Sequence, residues 1–146
     1  MADPVSGLAL TNVCIGLAIN VGGLGLKIKR ILEMYQDAPR ELQLLRSQVN
    51  VSQRILDHLS SALERSDSVF QQDADREALK DNLDACTFVI SIIDKHITKL
   101  QPDSNNRPGR WQRVQHLWDR DAIQENERRL DVQVSALGVF LQASQL

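Results

Sequence analysis

From Pro4 to Leu26 the chain carries no Asp, Glu, Lys, Arg or His. Wound as a helix, this stretch of about 23 residues is roughly 35 Å long, comparable to the hydrocarbon thickness of a bilayer. Such a helix has two stable environments, the core of a helical bundle or lipid. Asp3-Pro4 marks its start, an N-cap acceptor followed by proline at a position where the missing N–H costs nothing. Apolar residues then run through Val5, Leu8, Val13, Leu17, Ile19, Leu24, Ile28, Ile31, Leu32 and Tyr35 to about Gln36. Five glycines (Gly7, Gly16, Gly22, Gly23, Gly25) interrupt the run. Each costs up to about 1 kcal/mol against Ala in a helix interior, so a kink or break is expected near Gly22–Gly25. Thr11, Asn12, Asn20 and the glycines argue against permanent residence in a membrane. For the resting protein the spacing predicts a core helix whose less apolar face is made of Gly, Ala, Ser, Thr and Asn.

The remaining chain reads as three more helices. After Asp37-Ala38-Pro39, apolar and small residues at Leu42, Leu45, Val49, Ser52, Leu56, Leu59 and Leu63 alternate spacings of three and four, with Leu44, Val51, Ile55 and Ala62 widening the buried face. Ser66 through Asp73 is polar and reads as a loop. Leu79, Leu83, Cys86, Ile90, Ile93, Ile97 and Leu100 form an unbroken heptad pattern, and Phe88, Val89 and Ile92 broaden it. This third helix is expected to be the most central. It stops at Gln101-Pro102, before a turn-rich loop through Gly109. A short amphipathic piece holds Trp111, Val114, Leu117 and Trp118, and Asp119 or Asp121 is placed to cap a last helix carrying Ile123, Leu130, Val134, Leu137 and Leu141 on one face. Hydrophobic residues make up 42% of the chain but aromatics only 4%, a core chemistry suited to helix-on-helix packing. The expected fold is all-α: one domain over 1–146, a helical bundle of four long helices plus one short helix, divided into an apolar, glycine-rich N-terminal helix (1–36) and the remaining bundle (37–146).

No catalytic, cofactor-binding or metal-binding residues are assigned. Asp73, Asp75, Glu77, Asp81 and Asp84 read as a solvated face where acids favour a helix start. His58, His96 and His116 fall on three different segments, and neither a His-Glu-x-x-His nor an EF-hand pattern occurs. Gly22-Gly23-Leu24-Gly25 fails as a phosphate loop: Ile28 stands where a third glycine belongs, and no strand precedes it. Arg107, Arg110 and Arg113 flank Trp111, but with Asp119 and Asp121 nearby they read as surface around a packed Trp. The net charge of -2 gives no overall attraction to nucleic acid. Cys14 and Cys86 lack Cys-x-x-Cys or zinc spacing and are expected to be buried and reduced, as in a cytosolic protein. A secretory signal is not expected, because Lys27, Lys29 and Arg30 follow the apolar stretch instead of preceding it.

Several pieces, in order over the whole length, resemble one family. They are Met1-Ala2-Asp3-Pro4-Val5-Ser6 before a Gly/Ala/Leu-rich helix, Asp37-Ala38-Pro39-Arg40-Glu41-Leu42, Leu83-Asp84-Ala85-Cys86, Leu117-Trp118 with Ile123-Gln124-Glu125, and Leu130-Asp131-Val132-Gln133-Val134-Ser135-Ala136-Leu137. The chain is similar in these to the HeLo-like N-terminal domains of fungal STAND (NLR-type) receptors, related to the HeLo domain of the HET-S cell-death protein. It departs from them in the density of glycine at Gly22–Gly25. The resemblance implies a cytoplasmic bundle that executes regulated cell death in innate immunity or heterokaryon incompatibility. It would be fused to a downstream receptor or signalling domain, and on homo-oligomerisation would insert its first helix into the plasma membrane as a pore-forming element.

On that reading Val5, Leu8, Leu10, Val13, Ile15, Leu17, Ile19, Val21 and Leu24 contact membrane lipids. Small residues at Gly16, Ala18 and Gly22 line helix contacts, and Lys27, Lys29 and Arg30 meet an anionic leaflet. Asp3 from several protomers forms an acidic ring. The alternative is an interaction or oligomerisation module of such a receptor without membrane activity, supported by the two heptad seams. An accessory domain of the same fold with another role is a third reading.

Overall fold

The computed structural model of the chain describes residues 7–65, 73–101, 111 and 114–144. Four long helices account for nearly all of them: α1 (Gly7–Met34), α2 (Arg40–Arg65), α3 (Asp73–Thr98) and α4 (Arg120–Ser144), with a single 3-10 turn at Gln115–Leu117 before α4. Among the described residues there is no strand. The expected start at Asp3-Pro4 and the two loops, over 66–72 and 102–110, lie outside the described residues.

The seams explain the packing. All seven seam positions of α2, from Leu42 to Leu63, are buried, and so are the seven from Leu79 to Leu100, although α3 ends at Thr98, short of the expected Gln101, and Leu100 lies in the turn that follows. Together with Leu10, Cys14, Leu17, Val21, Leu24, Ile28 and Ile31 of α1, and Ile123, Leu130, Val134 and Leu137 of α4, they form one core. Ser52, the polar seam position, returns its hydroxyl to the Gln48 carbonyl at 2.8 Å, which satisfies it within its own helix. Three residues expected to widen the buried faces do not: Leu44, Val51 and Phe88 are exposed. Each sits two positions from a seam residue, about 200° around the helix and so on its outer side.

Four principal interfaces join the helices in a ring, α1–α2, α2–α4, α4–α3 and α3–α1. Cross-helix contacts give their directions. Gly22 lies against Gln53 and Gly25 against Asn50, so α1 and α2 are antiparallel. Lys27 reaches Asp94 and Thr98, so α1 and α3 run parallel. Gln48 donates to the Glu127 carbonyl at 2.9 Å, so α2 and α4 are also parallel. These three relations make α3 and α4 antiparallel, and across their contact the Asn82 amide, oriented to satisfy its neighbours, donates to Gln133 Oε1 at 2.6 Å. The chain therefore crosses the bundle diagonally between α2 and α3.

The most extensive interface is α1–α2, not one made by α3, which corrects the expectation that α3 is most central. Small residues of α1 face α2 there: a Cβ at Gly22 would lie 2.8 Å from Gln53 Nε2, so that flexible side chain would have to move, whereas one at Gly25 would meet Asn50 Oδ1 at 3.4 Å, an ordinary contact. The helix is also unbroken from Gly7 to Met34, against the expected interruption at Gly22–Gly25. Flanking Val21, Leu24 and Ile28 are fully packed, and tertiary burial outweighs the low helix propensity of the glycines. The first helix ends at Met34 and not Gln36, although the Tyr35 N–H still bonds to the Ile31 carbonyl.

At one end of the bundle Trp111 is buried edge-on between Tyr35 (ring centroids 5.9 Å apart) and Trp118 (5.6 Å). Its backbone N–H donates to Asp37 Oδ1 at 2.8 Å. This fastens the segment before α4 to the α1–α2 turn. Of the two expected caps for α4, Asp119 performs the role: its Oδ1 accepts the Ala122 N–H at 3.1 Å.

Candidate functional site

The apolar residues of α1 occur all the way round the helix, so only part of them can turn inward. Leu10, Leu17, Val21 and Leu24 are buried in the core and Val13 is half-buried. Leu8 is 72% exposed, Ile19 68% and Leu26 58%, and Ile15 is exposed as well. Steps of seven, four and seven residues place these four on one outward stripe. The outer face of α1 is therefore not confined to Gly, Ala, Ser, Thr and Asn. It is an uncharged strip with four large aliphatic side chains, and its first charged exposed residue is Lys29.

Beside that strip runs a shallow groove of about 500 Å³ between α1 and α3, lined by Ile19, Asn20 and Gly23 on one wall and by Thr87, Ser91 and Asp94 on the other. Phe88, next in sequence to Thr87 of that wall, is 61% exposed. The small residues named for helix contacts divide between two sides. Ala18 is buried and Gly22 sits at the α2 contact, whereas a Cβ at Gly16 would meet nothing within 4 Å. Gly25, absent from the expected set, also faces α2, where a Cβ would make ordinary contact with Asn50 and Val49. Asp3 and Val5 lie outside the described residues.

The basic boundary also divides. Lys27 turns across the groove, donating to Asp94 Oδ1 at 2.8 Å and to Thr98 Oγ1 at 3.3 Å, and so ties the C-terminal halves of α1 and α3 together. Lys29 and Arg30 are exposed, with Lys29 only 4.0 Å from Glu33. Because α1 and α3 are parallel, Lys95 and Lys99, also exposed, lie at the same end of the bundle. Sequence reasoning missed both these lysines and Phe88. The available signal was the spacing 88, 95, 99, which lies off the α3 seam.

Cys14 of α1 and Cys86 of α3 are buried at this interface as free thiols. Loss of hydration, and then the neighbouring Cys86, push Cys14 up to about 12, and burial raises Cys86 to about 11. Neither forms the reactive thiolate at neutral pH while α1 stays in place.

Elsewhere the polar groups read as structural. Arg120 pairs with Glu41 at 3.2 Å where α4 begins beside α2. Glu127 Oε1 is buried without a hydrogen-bond partner, and desolvation, then the nearby Glu41, raise its carboxyl above the usual range. The carboxylates Asp75, Glu77, Asp81 and Asp84 are exposed along α3, and Asp84 pairs with Lys80 at 2.9 Å. His58, His96 and His116 lie on α2, α3 and the 3-10 turn. Among the described residues no three His, Cys, Asp or Glu side chains gather as metal ligands.

By length and composition, Leu8–Met34 is apolar enough to cross a membrane, a test that a core helix of a soluble bundle also passes. No protein-family model, curated protein or solved structure matches the chain.

Proposed function

We propose that the chain is a HeLo-like, non-enzymatic membrane effector. It rests in the cytoplasm as a four-helix bundle, assembles into homo-oligomers through a downstream receptor or signalling domain, and then transfers its glycine-containing first helix into the plasma membrane, permeabilising it to execute cell death. One observation carries this reading: the outer face of α1 is uncharged and displays Leu8, Ile15, Ile19 and Leu26 to water. A helix that serves only as a bundle wall normally turns a charged face to solvent.

The energetics follow from the same face. Leu10, Leu17, Val21 and Leu24 exchange protein packing for lipid, apolar surroundings in both cases. The exposed four exchange water for lipid, at about 1.5–3 kcal/mol each when fully buried. The helical backbone satisfies its own hydrogen bonds in the bilayer. Opposing this are the lost α1–α2 contacts and the core surface uncovered on α2 and α3, which self-association would have to cover. The glycines lower the cost of leaving, since α1 has weak helix propensity outside packed or lipid surroundings.

The test uses the chain clustered through a C-terminal coiled-coil fusion and added to dye-loaded vesicles containing phosphatidylserine. Dye release is expected, with Cys86 becoming open to a maleimide as α1 departs. Leu8→Glu/Ile19→Glu should abolish release while leaving the helical spectrum and melting unchanged, because both positions face water. Release equal to that of the unsubstituted chain removes α1 as the effector. Stable clusters that never leak support the alternative, a helical interaction module, for which the open α1–α3 groove is the favouring observation.

A further inference from the structure

The exposed stripes of α1 and α3 form one continuous surface. The two helices run parallel and flank a common groove, with Ile19 on one wall and Thr87 and Ser91 on the other; Phe88, exposed and next in sequence to Thr87, follows that second wall outward. On α3 the stripe continues from Phe88 through Ser91 to Lys95 at spacings that keep them on one helix face, and Lys99 follows in the turn just after the helix, all of them exposed. On α1 it continues from Leu26 to Arg30. Each stripe thus passes from an apolar middle to a cationic C-terminal end, and the two cationic ends coincide. Arg30, Lys95 and Lys99 have no ion-pair partner among the described residues. The one acid in the groove, Asp94, is neutralised by Lys27 at 2.8 Å. Of the exposed acids of α3, Asp75, Glu77 and Asp81 lie toward its other end, and Asp84, one turn before Phe88, is paired with Lys80 at 2.9 Å.

We infer that the intact bundle, with α1 still packed in place, docks on an anionic lipid surface through this composite α1–α3 face. Ile15, Ile19, Leu26 and Phe88 enter the boundary between headgroups and acyl chains, and the lysines and Arg30 contact the headgroups. The chemistry is that of an interfacial amphipathic helix, an apolar strip joined to a cationic edge, here shared by two helices of a folded domain. The inference deepens the proposed function by adding a docking step before any helix release. It assigns a binding role to α3, which that reading leaves passive.

Flotation of the unclustered chain with vesicles, neutral or with roughly a third phosphatidylserine, tests it. The chain should float with the anionic vesicles only, and the floated protein should keep Cys86 protected from maleimide. Phe88→Glu should lower binding about tenfold or more, and Lys95→Glu/Lys99→Glu about thirty-fold or more. Both variants should melt like the parent, as all three side chains are exposed. Unchanged flotation of both variants overturns the inference. So does rapid Cys86 labelling of bound parent protein, which would mean that the bundle opens on contact. Concentration-dependent dimers lost in Phe88→Glu, without flotation of the parent, would assign the face to a second copy of the chain instead. The two proposals fail separately. Docking without leakage by the clustered chain sinks helix insertion alone, whereas leakage with fully binding α3 variants sinks the docking face alone.

Discussion

α1 and α2 are paired, antiparallel and similar in length, at 28 and 26 residues, yet they are different kinds of helix. In α2 every seam residue is buried, and the exposed residues include Arg40, Arg54, Asp57, Glu64 and Arg65. Folding accounts for its seam, although Leu44 and Val51 also face water. In α1 the inward face is equally well packed, but the outward face remains apolar over four turns and more. Packing explains Leu17 and Ile28; it does not explain Leu8, Ile19 and Leu26. Residues that a fold does not need are the ones that point to a partner; exposed apolar residues also occur on α2 (Leu44, Val51) and α4 (Val132, Val139), but α1 gathers four of them on one uncharged stripe.

The sharpest way to break this contrast lies within α1 itself. Leu17→Glu places a carboxylate in the core, where Leu17 is 3% exposed, and should cost about 4 kcal/mol or more, unfolding the domain in urea titrations. Ile19→Glu, two residues along, should change stability by less than about 0.5 kcal/mol. Equal losses would show that the two faces of α1 are not distinct. For the same reason a charge at Leu17 is a poor probe of membrane activity, since it removes the bundle as well as the apolar helix.

In α2 the corresponding pair is Leu56→Ala and Leu44→Ala. The first empties a fully buried site and should cost about 2–5 kcal/mol; the second, at an exposed site, should fall within about 0.5 kcal/mol by denaturant midpoint. A smaller effect of opposite sign is expected in α1. Gly23→Ala introduces a Cβ that meets nothing within 4 Å, and should raise stability by up to about 1 kcal/mol through helix propensity, read as a higher melting temperature. A loss would mean that Gly23 is held for close contact within the resting fold.

The smallest effect concerns the other side of the ring. The Glu127 carboxyl is raised above its ordinary value near 4.5 by desolvation and by Glu41. The folded state then keeps this proton to higher pH than the unfolded chain does. Stability falls as pH climbs from the unfolded value through the folded one, and stays lowered above it. Glu127→Gln should therefore be slightly more stable than the parent at neutral pH and lose that part of the decline, measured by urea midpoints across pH 4 to 7. A steeper decline in the variant would assign the strain to another group. The α2–α4 interface would thus carry an electrostatic burden that the α1–α2 interface, free of charge along most of α1, does not.

Much of the fold was legible in the residue spacing. The seams of α2 and α3 named their buried positions one by one, because period alone decides which side chains share a face. The punctuation at Asp37-Ala38-Pro39 and Asp119 matched real helix starts. What spacing did not give was arrangement. Which residues of α2 meet Gly22 and Gly25 is decided by helix pairing, and a diagonal crossing leaves no mark in a heptad. The candidate site was half legible. Lack of charge identified α1, but an apolar residue every second or third position cannot say which of them face out. Phe88, Lys95 and Lys99 join the surface only because α1 and α3 lie parallel, a fact of the ring and not of either segment.

That ring has a consequence for what the chain can lose. α1 takes part in two of the four principal interfaces, α1–α2 and α3–α1, while α2–α4 and α4–α3 do not involve it. Cutting α1 out therefore opens the circle without dividing it, and α2, α4 and α3 stay joined in series through α4. The diagonal passage from α2 to α3 makes this possible: it seats the first helix between the second and third, so the departing element comes from the chain's N-terminal portion and is tethered by residues 35–39. A helix wedged between two neighbours and joined to the rest of the ring through residues 35–39 is mechanically a removable stave.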